Sequence, residues 1–102
     1  MNLKGDNVFL SNHKAMKSEN DLKITGVIVS DLTPNRTNRY VKFRLVHFFA
    51  HGTEPLYLDC ILMLGGQPVI PKQGDQIRIR AYLRMRRGAI EAMVKSLTVS
   101  ED

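Results

Sequence analysis

The stretch Gln76-Ile77-Arg78-Ile79-Arg80-Ala81-Tyr82-Leu83-Arg84-Met85-Arg86-Arg87 alternates without a break. Ile77, Ile79, Ala81, Leu83 and Met85 fall on one side, and Arg78, Arg80, Tyr82, Arg84 and Arg86 on the other. Period two belongs to a strand, because successive side chains leave a pleated backbone on opposite faces. The apolar side asks for a core. The other side holds arginine with no acid between Gln76 and Arg87. A solvated strand face, or an edge guarded by charge, would be served as well by lysine and glutamate. Unrelieved arginine points to a polyanion, because the planar guanidinium grips phosphate with two hydrogen bonds and stacks on bases. Residues two apart on a strand lie ~6.6–6.8 Å apart, close to the phosphate spacing of an extended single strand. Tyr82 adds a stacking ring in the middle of the stripe.

Outward from this strand the same period recurs. Arg87-Gly88 makes a tight turn into a last run over residues 89–100. Before it, residues 65–75 form a loop whose Pro68 and Pro71 argue against a helix. Residues 56–64 are apolar at nearly every position. Leu56, Leu58, Cys60, Leu62 and Leu64 form one face, and Tyr57, Asp59, Ile61 and Met63 the other. Residues 39–49 place Val41, Phe43 and Leu45 opposite Tyr40, Lys42, Arg44, Val46 and Phe48. Residues 22–30 carry Gly26 in mid-strand, where glycine marks a bulge or a barrel bend. A turn rich in Pro, Asn and Thr follows at residues 33–38.

Five runs joined by turns, with no amphipathic helix, predict an all-β domain, and a five-stranded OB-fold Greek-key barrel is the simplest closed solution. Val41, Phe43, Leu45, Ile77, Ile79 and Leu83 are expected inside. Residues 1–21 differ: polar, charge-balanced, with Val8, Phe9 and Leu10 as one apolar cluster. They read as a tail, or as an extra strand over residues 7–10, preceding an OB domain at residues 22–102.

The 102-residue chain carries a net charge of +5, all of it on residues 22–102. That sign favours nucleic acid first and anionic membrane second. Lys42, Arg44, Tyr40 and Phe48 mix cations with rings on one strand face, as a sequence-tolerant single-strand surface requires. The single cysteine, Cys60, sits in an apolar run and reads as a core residue in a reducing compartment. No stretch is long enough to span a bilayer and no signal-type core begins the chain, so a cytoplasmic location is expected. His13, His47 and His51 show no ligand spacing, and neither metal nor cofactor is expected. Cys60 has no activating neighbour in sequence and residues 65–74 lack the helix a phosphate loop needs, so an enzyme is not expected.

Two segments resemble bacterial single-stranded DNA-binding proteins. Leu32-Thr33-Pro34-Asn35-Arg36-Thr37 followed by Phe43-Arg44-Leu45 is similar to that family's Thr-Pro-Asn-Gly-Thr turn and Phe-x-Leu strand. Lys72-Gln73-Gly74-Asp75, with Leu83-Arg84-Met85-Arg86 beyond, is similar to its Lys-x-Gly-(Ser/Asp) turn and Leu-Arg-x-Arg strand end. The likeness covers about residues 22–100. Arg36 stands for the family glycine, Ala81 for another, and the proline-containing loop from Gly65 replaces a short helix. The turn at Arg87-Gly88 replaces a long hairpin, which brings the chain nearer to the primosomal replication protein N family. The resemblance implies an OB fold, single-stranded DNA (RNA possible) as ligand, replication proteins as partners, and a homodimer. The family's stacking aromatic falls nearest Tyr57. The expected contacts are therefore Tyr40, Lys42, Arg44, Phe48, Tyr57, Arg78, Arg80, Tyr82, Arg84, Arg86 and Arg87. The alternative is an OB protein-interaction module whose basic face meets an acidic protein.

Overall fold

The computed structural model describes residues 19–52, 54–67 and 69–100. Six strands and no helix occur among them: β1 (Leu22–Ile28), β2 (Thr33–Pro34), β3 (Tyr40–His47), β4 (Leu56–Met63), β5 (Gln76–Arg86) and β6 (Ala89–Val99). The five long strands fall on the five runs read from the sequence. β2 is a two-residue rung on β3, pairing Thr33 with Lys42. Asn35 sets the turn that follows it, since its Oδ1 accepts from the Arg39 and Tyr40 amides at 2.7 and 2.9 Å.

The strands run β1-β5-β6-β4-β3 around the sheet, and β1 also pairs with β3, which closes a five-stranded barrel. All pairings are antiparallel except β4 with β6. This is the OB fold. Closure depends on Gly26. A Cβ there would lie 2.9 Å from Leu45 Cγ and Cδ1 and would press on the Val46 carbonyl. Its absence lets β1 bend from β5 onto β3, so the mid-strand glycine marks the barrel bend.

The interior is filled by Ile28, Phe43, Leu45, Cys60, Ile77, Ile79, Ala81 and Ala92, with Val41, Leu58 and Leu62 completing it. Each large side chain here contributes ~1.5–3 kcal/mol by leaving water. Burial pushes the Cys60 thiol up to about 12, and the neighbouring Asp59 charge adds to the shift. Val46 and Ile61, on the faces assigned to Arg44 and Tyr57, are also buried but outside this interior cluster.

Leu83 corrects the expected core. It is 37% exposed, and Met85 beyond it is 64% exposed. The alternation is intact, but the cover is missing: β1 begins only at Leu22, opposite Ala81. Past that point β5 and β6 continue as a two-stranded arm to Arg87-Gly88, whose φ values of 53° and 79° suit a mirror-image hairpin turn. Leu83, Met85 and Ile90 form an exposed apolar strip along the arm. A bulge separates barrel from arm: Arg80 pairs with Ser96 and Ala81 with Val94, leaving Lys95 as the extra residue. On the open edge of β5, the Asn20 side chain takes the place of a strand. Its Oδ1 accepts from Leu83 N at 2.8 Å and its Nδ2 donates to Leu83 O. The possible extra strand at residues 7–10 lies outside the described residues.

Candidate nucleic-acid interface

The outer faces of β3 and β4 form the floor of an open groove of about 880 Å³. Period two puts Lys42 and Arg44 of β3 and Tyr57 and Asp59 of β4 on this floor. The connection from β1 supplies a wall, with Ser30, Asp31 and Thr33. The Ser30 hydroxyl fixes that wall to the floor by accepting from Arg44 N at 2.8 Å, and Val29 N donates to Arg44 O at 2.9 Å. Tyr57 is 59% exposed, so its ring offers a free face. In OB barrels this pair of strands and the adjoining loops take up oligonucleotides and oligosaccharides.

The electrostatics differ from the sequence expectation. A charged row crosses the sheet: Arg44 of β3 pairs with Asp59 of β4, Asp59 with Glu91 of β6, and Glu91 with Arg84 of β5. Arg44 Nε lies 3.0 Å from Asp59 Oδ1. Glu91 is buried, and it is held by Arg84 at 3.1 Å and Lys42 at 3.6 Å. Three of the expected contact cations are thus already partnered on this floor. A strong surface charge is converted into a set of fixed donors, each oriented by a carboxylate. Asp59 and Glu91 were absent from the expected contact set. The only trace of them in sequence is that each interrupts an otherwise apolar run.

The remaining expected contacts scatter. Tyr40 begins β3 opposite Met63, half-buried. Phe48 lies just past β3 and is 67% exposed, and its neighbour Phe49 meets His47 edge-on at 4.9 Å between ring centroids. His47 is anchored by Nδ1 at 2.7 Å from Thr25 O. Arg86 and Arg87 stand exposed at the arm tip, with Tyr82 between tip and barrel. Arg78 and Arg80 are not brought to the groove. They sit around the barrel, opposite Thr25 and Lys23 of β1, and Arg80 Nε lies 3.0 Å from Asp21 Oδ1. The single arginine stripe of the sequence therefore serves two faces. Among the described residues no group of His, Cys, Asp or Glu is placed to hold a metal, and no helix is long and apolar enough to cross a membrane.

No protein-family model and no curated protein matches the chain in sequence. Solved structures do match in shape. The dimeric N-terminal domain of the PriB protein from Thermoanaerobacter tencongensis superposes with a TM-score of 0.69 at 14% identity, over 83% of this chain and 100% of that one. The second single-stranded DNA-binding protein, SSBb, of Mycobacterium smegmatis gives 0.66 at 16% identity, over 80% and 89%. The mitochondrial single-stranded DNA-binding protein Rim1 of S. cerevisiae gives 0.66 at 15%, over 81% and 95%. At such identities the likeness is one of fold, and the chain is an OB barrel of the shape these single-strand-binding proteins and PriB share.

Proposed function

We propose that the protein binds single-stranded DNA without acting on it chemically, as an accessory of a replication-restart (primosomal) or single-strand-binding assembly. The observation that carries this is the β3–β4 groove, where the exposed Tyr57 ring lies among the oriented cations Lys42 and Arg44. A base stacks on the ring, and the cations and the arm-tip pair Arg86 and Arg87 meet phosphates. The structural likeness to proteins named for single-stranded DNA binding supports the ligand, and the likeness to PriB supports the primosomal setting. A homodimer belongs to the same reading. The exposed strip of Leu83, Met85 and Ile90 is its natural contact, and the PriB domain is described as dimeric.

Titration with labelled oligothymidine and with duplex DNA at two salt concentrations tests this. Single strands bind in preference, and the affinity falls with salt by about 0.7 log units per log unit for each neutralised phosphate. Tyr57→Ala costs ~1–3 kcal/mol with little change in slope, because ring stacking releases no counterions. Lys42→Ala with Arg44→Ala flattens the slope by up to about 1.4. A protein that binds no oligonucleotide in low salt ends the proposal.

A further inference from the structure

The outer face of β1, β5 and β6, around the barrel from the groove, is built almost entirely of hydrogen-bond donors. Two rows cross it: Lys23–Arg80–Ser96 and Thr25–Arg78–Thr98. Every one of these side chains is exposed. The bulge adds Lys95, and Gln76 and Ser100 border a shallow groove of about 230 Å³ beside Thr25, Arg78 and Thr98. None of the exposed large apolar residues lies in these rows, which disfavours a hydrophobic protein contact.

Among the described residues, the acid within contact of these cations is Asp21, 3.0 Å from Arg80 and 3.7 Å from Lys95. The hydrogen bond from Arg80 holds its carboxyl below the usual carboxylate range. It stays ionised and occupies the place of an anion on this face. Arg78 makes no ion pair among the described residues. Successive outward residues on β5 are ~6.6–6.8 Å apart, and neighbouring strands ~4.7–4.9 Å, so the lattice offers cations and hydroxyls at phosphate intervals. β5 itself connects this face to the other one: Arg78 and Arg80 lie here, while Arg84 reaches the charged row of the groove floor.

We infer that the β1–β5–β6 face is a second track for the phosphodiester backbone of the same single strand, reached along β5 from the β3–β4 groove. This rests on the single-stranded DNA reading and extends it: short oligonucleotides fill the groove, and longer ones also lie on Lys23, Arg78 and Lys95. Asp21 competes with phosphate for Arg80 and Lys95.

The test uses oligothymidines of about 8 and about 24 nucleotides, spanning and exceeding the ~4–16 nucleotides one OB fold covers. They are added to a fixed amount of protein and followed by tyrosine fluorescence; the chain has three tyrosines and no tryptophan. The triple variant Lys23→Thr, Arg78→Thr, Lys95→Thr keeps strand-compatible residues, and its melting curve reports that it is folded. It binds the short oligonucleotide as the parent does. Its salt slope for the long one is shallower by about 2, at about 0.7 for each lost contact. Asp21→Asn moves the other way, tightening the long oligonucleotide and leaving the short one unchanged. Equal losses on both lengths, or none on either, overturn the second track while the groove stands. Failure of the unmodified protein to bind the short oligonucleotide strikes the groove reading instead.

Discussion

Replacing Gly26 with alanine probes the barrel seam directly. The backbone of Gly26 does not have a left-handed φ, so alanine meets no conformational strain there. By lowering the entropy of the unfolded chain, the change alone would stabilise by ~0.4–1 kcal/mol. Space decides the sign. The new methyl sits 2.9 Å from two Leu45 carbons and against the Val46 carbonyl, which belongs to the backbone and cannot rotate away. Overpacking of this kind costs ~1–3 kcal/mol. Pushing β3 off β1 also weakens the short seam of Val27 with Val46 and Ile28 with Leu45, at ~1 kcal/mol per hydrogen bond lost. The net expectation is a loss of about 2–3 kcal/mol, or roughly 10–20 °C in melting temperature for a domain of this size. Urea unfolding followed by circular dichroism should show a lower midpoint with an unchanged slope. Gly65→Ala is the control: a Cβ there meets nothing within 4 Å and the φ is not left-handed. It should be neutral or stabilising by up to ~1 kcal/mol. A Gly26→Ala protein as stable as the parent would refute closure of the barrel through β1 and β3.

Two further outcomes follow from buried groups. Glu91→Gln removes the carboxylate that orients Lys42 and Arg84, so oligothymidine affinity rises at low salt, while stability falls by only about 1 kcal/mol because two ion pairs are lost but both cations can turn to water; an unchanged affinity would mean that the charged row does not face the ligand. Burial pushes the Cys60 thiol up to about 12 from about 9, so its contribution to stability is complete below pH 9 and is lost as pH rises from 9 toward 12; a thiol reagent at pH 8 should label it only after denaturant is added.

The strands were legible because their runs are short and either alternate or are apolar nearly throughout, and their turns carry the residues that turns require. Arg87-Gly88, for example, adopts the two left-handed conformations that a two-residue hairpin needs. What alternation could not tell is where a neighbour stops. Leu83 has the parity of Ile79, yet it is uncovered because β1 begins two residues too late to shield it. The same limit applies to the interface. Lys42 and Arg44 could be placed on the outer face of β3 from their spacing alone. Their neutralisation by Glu91 and Asp59 could not, because it arises from cross-strand neighbours set by the barrel register. The splitting of the arginine stripe between two faces has the same origin: a strand long enough to leave the barrel changes neighbours along its length.

The seam between β1 and β5 joins Leu22 to Ala81, about 60 residues apart in the chain, and the parallel pairing of β4 with β6 spans about 30. The two antiparallel hairpins, β3–β4 and β5–β6, are local by comparison. Loop-closure entropy must be met before distant contacts reward it, so such a topology folds in milliseconds to seconds rather than microseconds. The hairpins are therefore expected to form before β1 docks, an order that φ-values for substitutions in β1 and in the two hairpins would check. Until β1 docks, β3 and β5 each present a bare edge, and two half-made barrels can pair those edges with one another. The expected consequence is that refolding yield falls as protein concentration rises, with dilute chains closing on themselves and concentrated ones aggregating, which refolding at two concentrations measures.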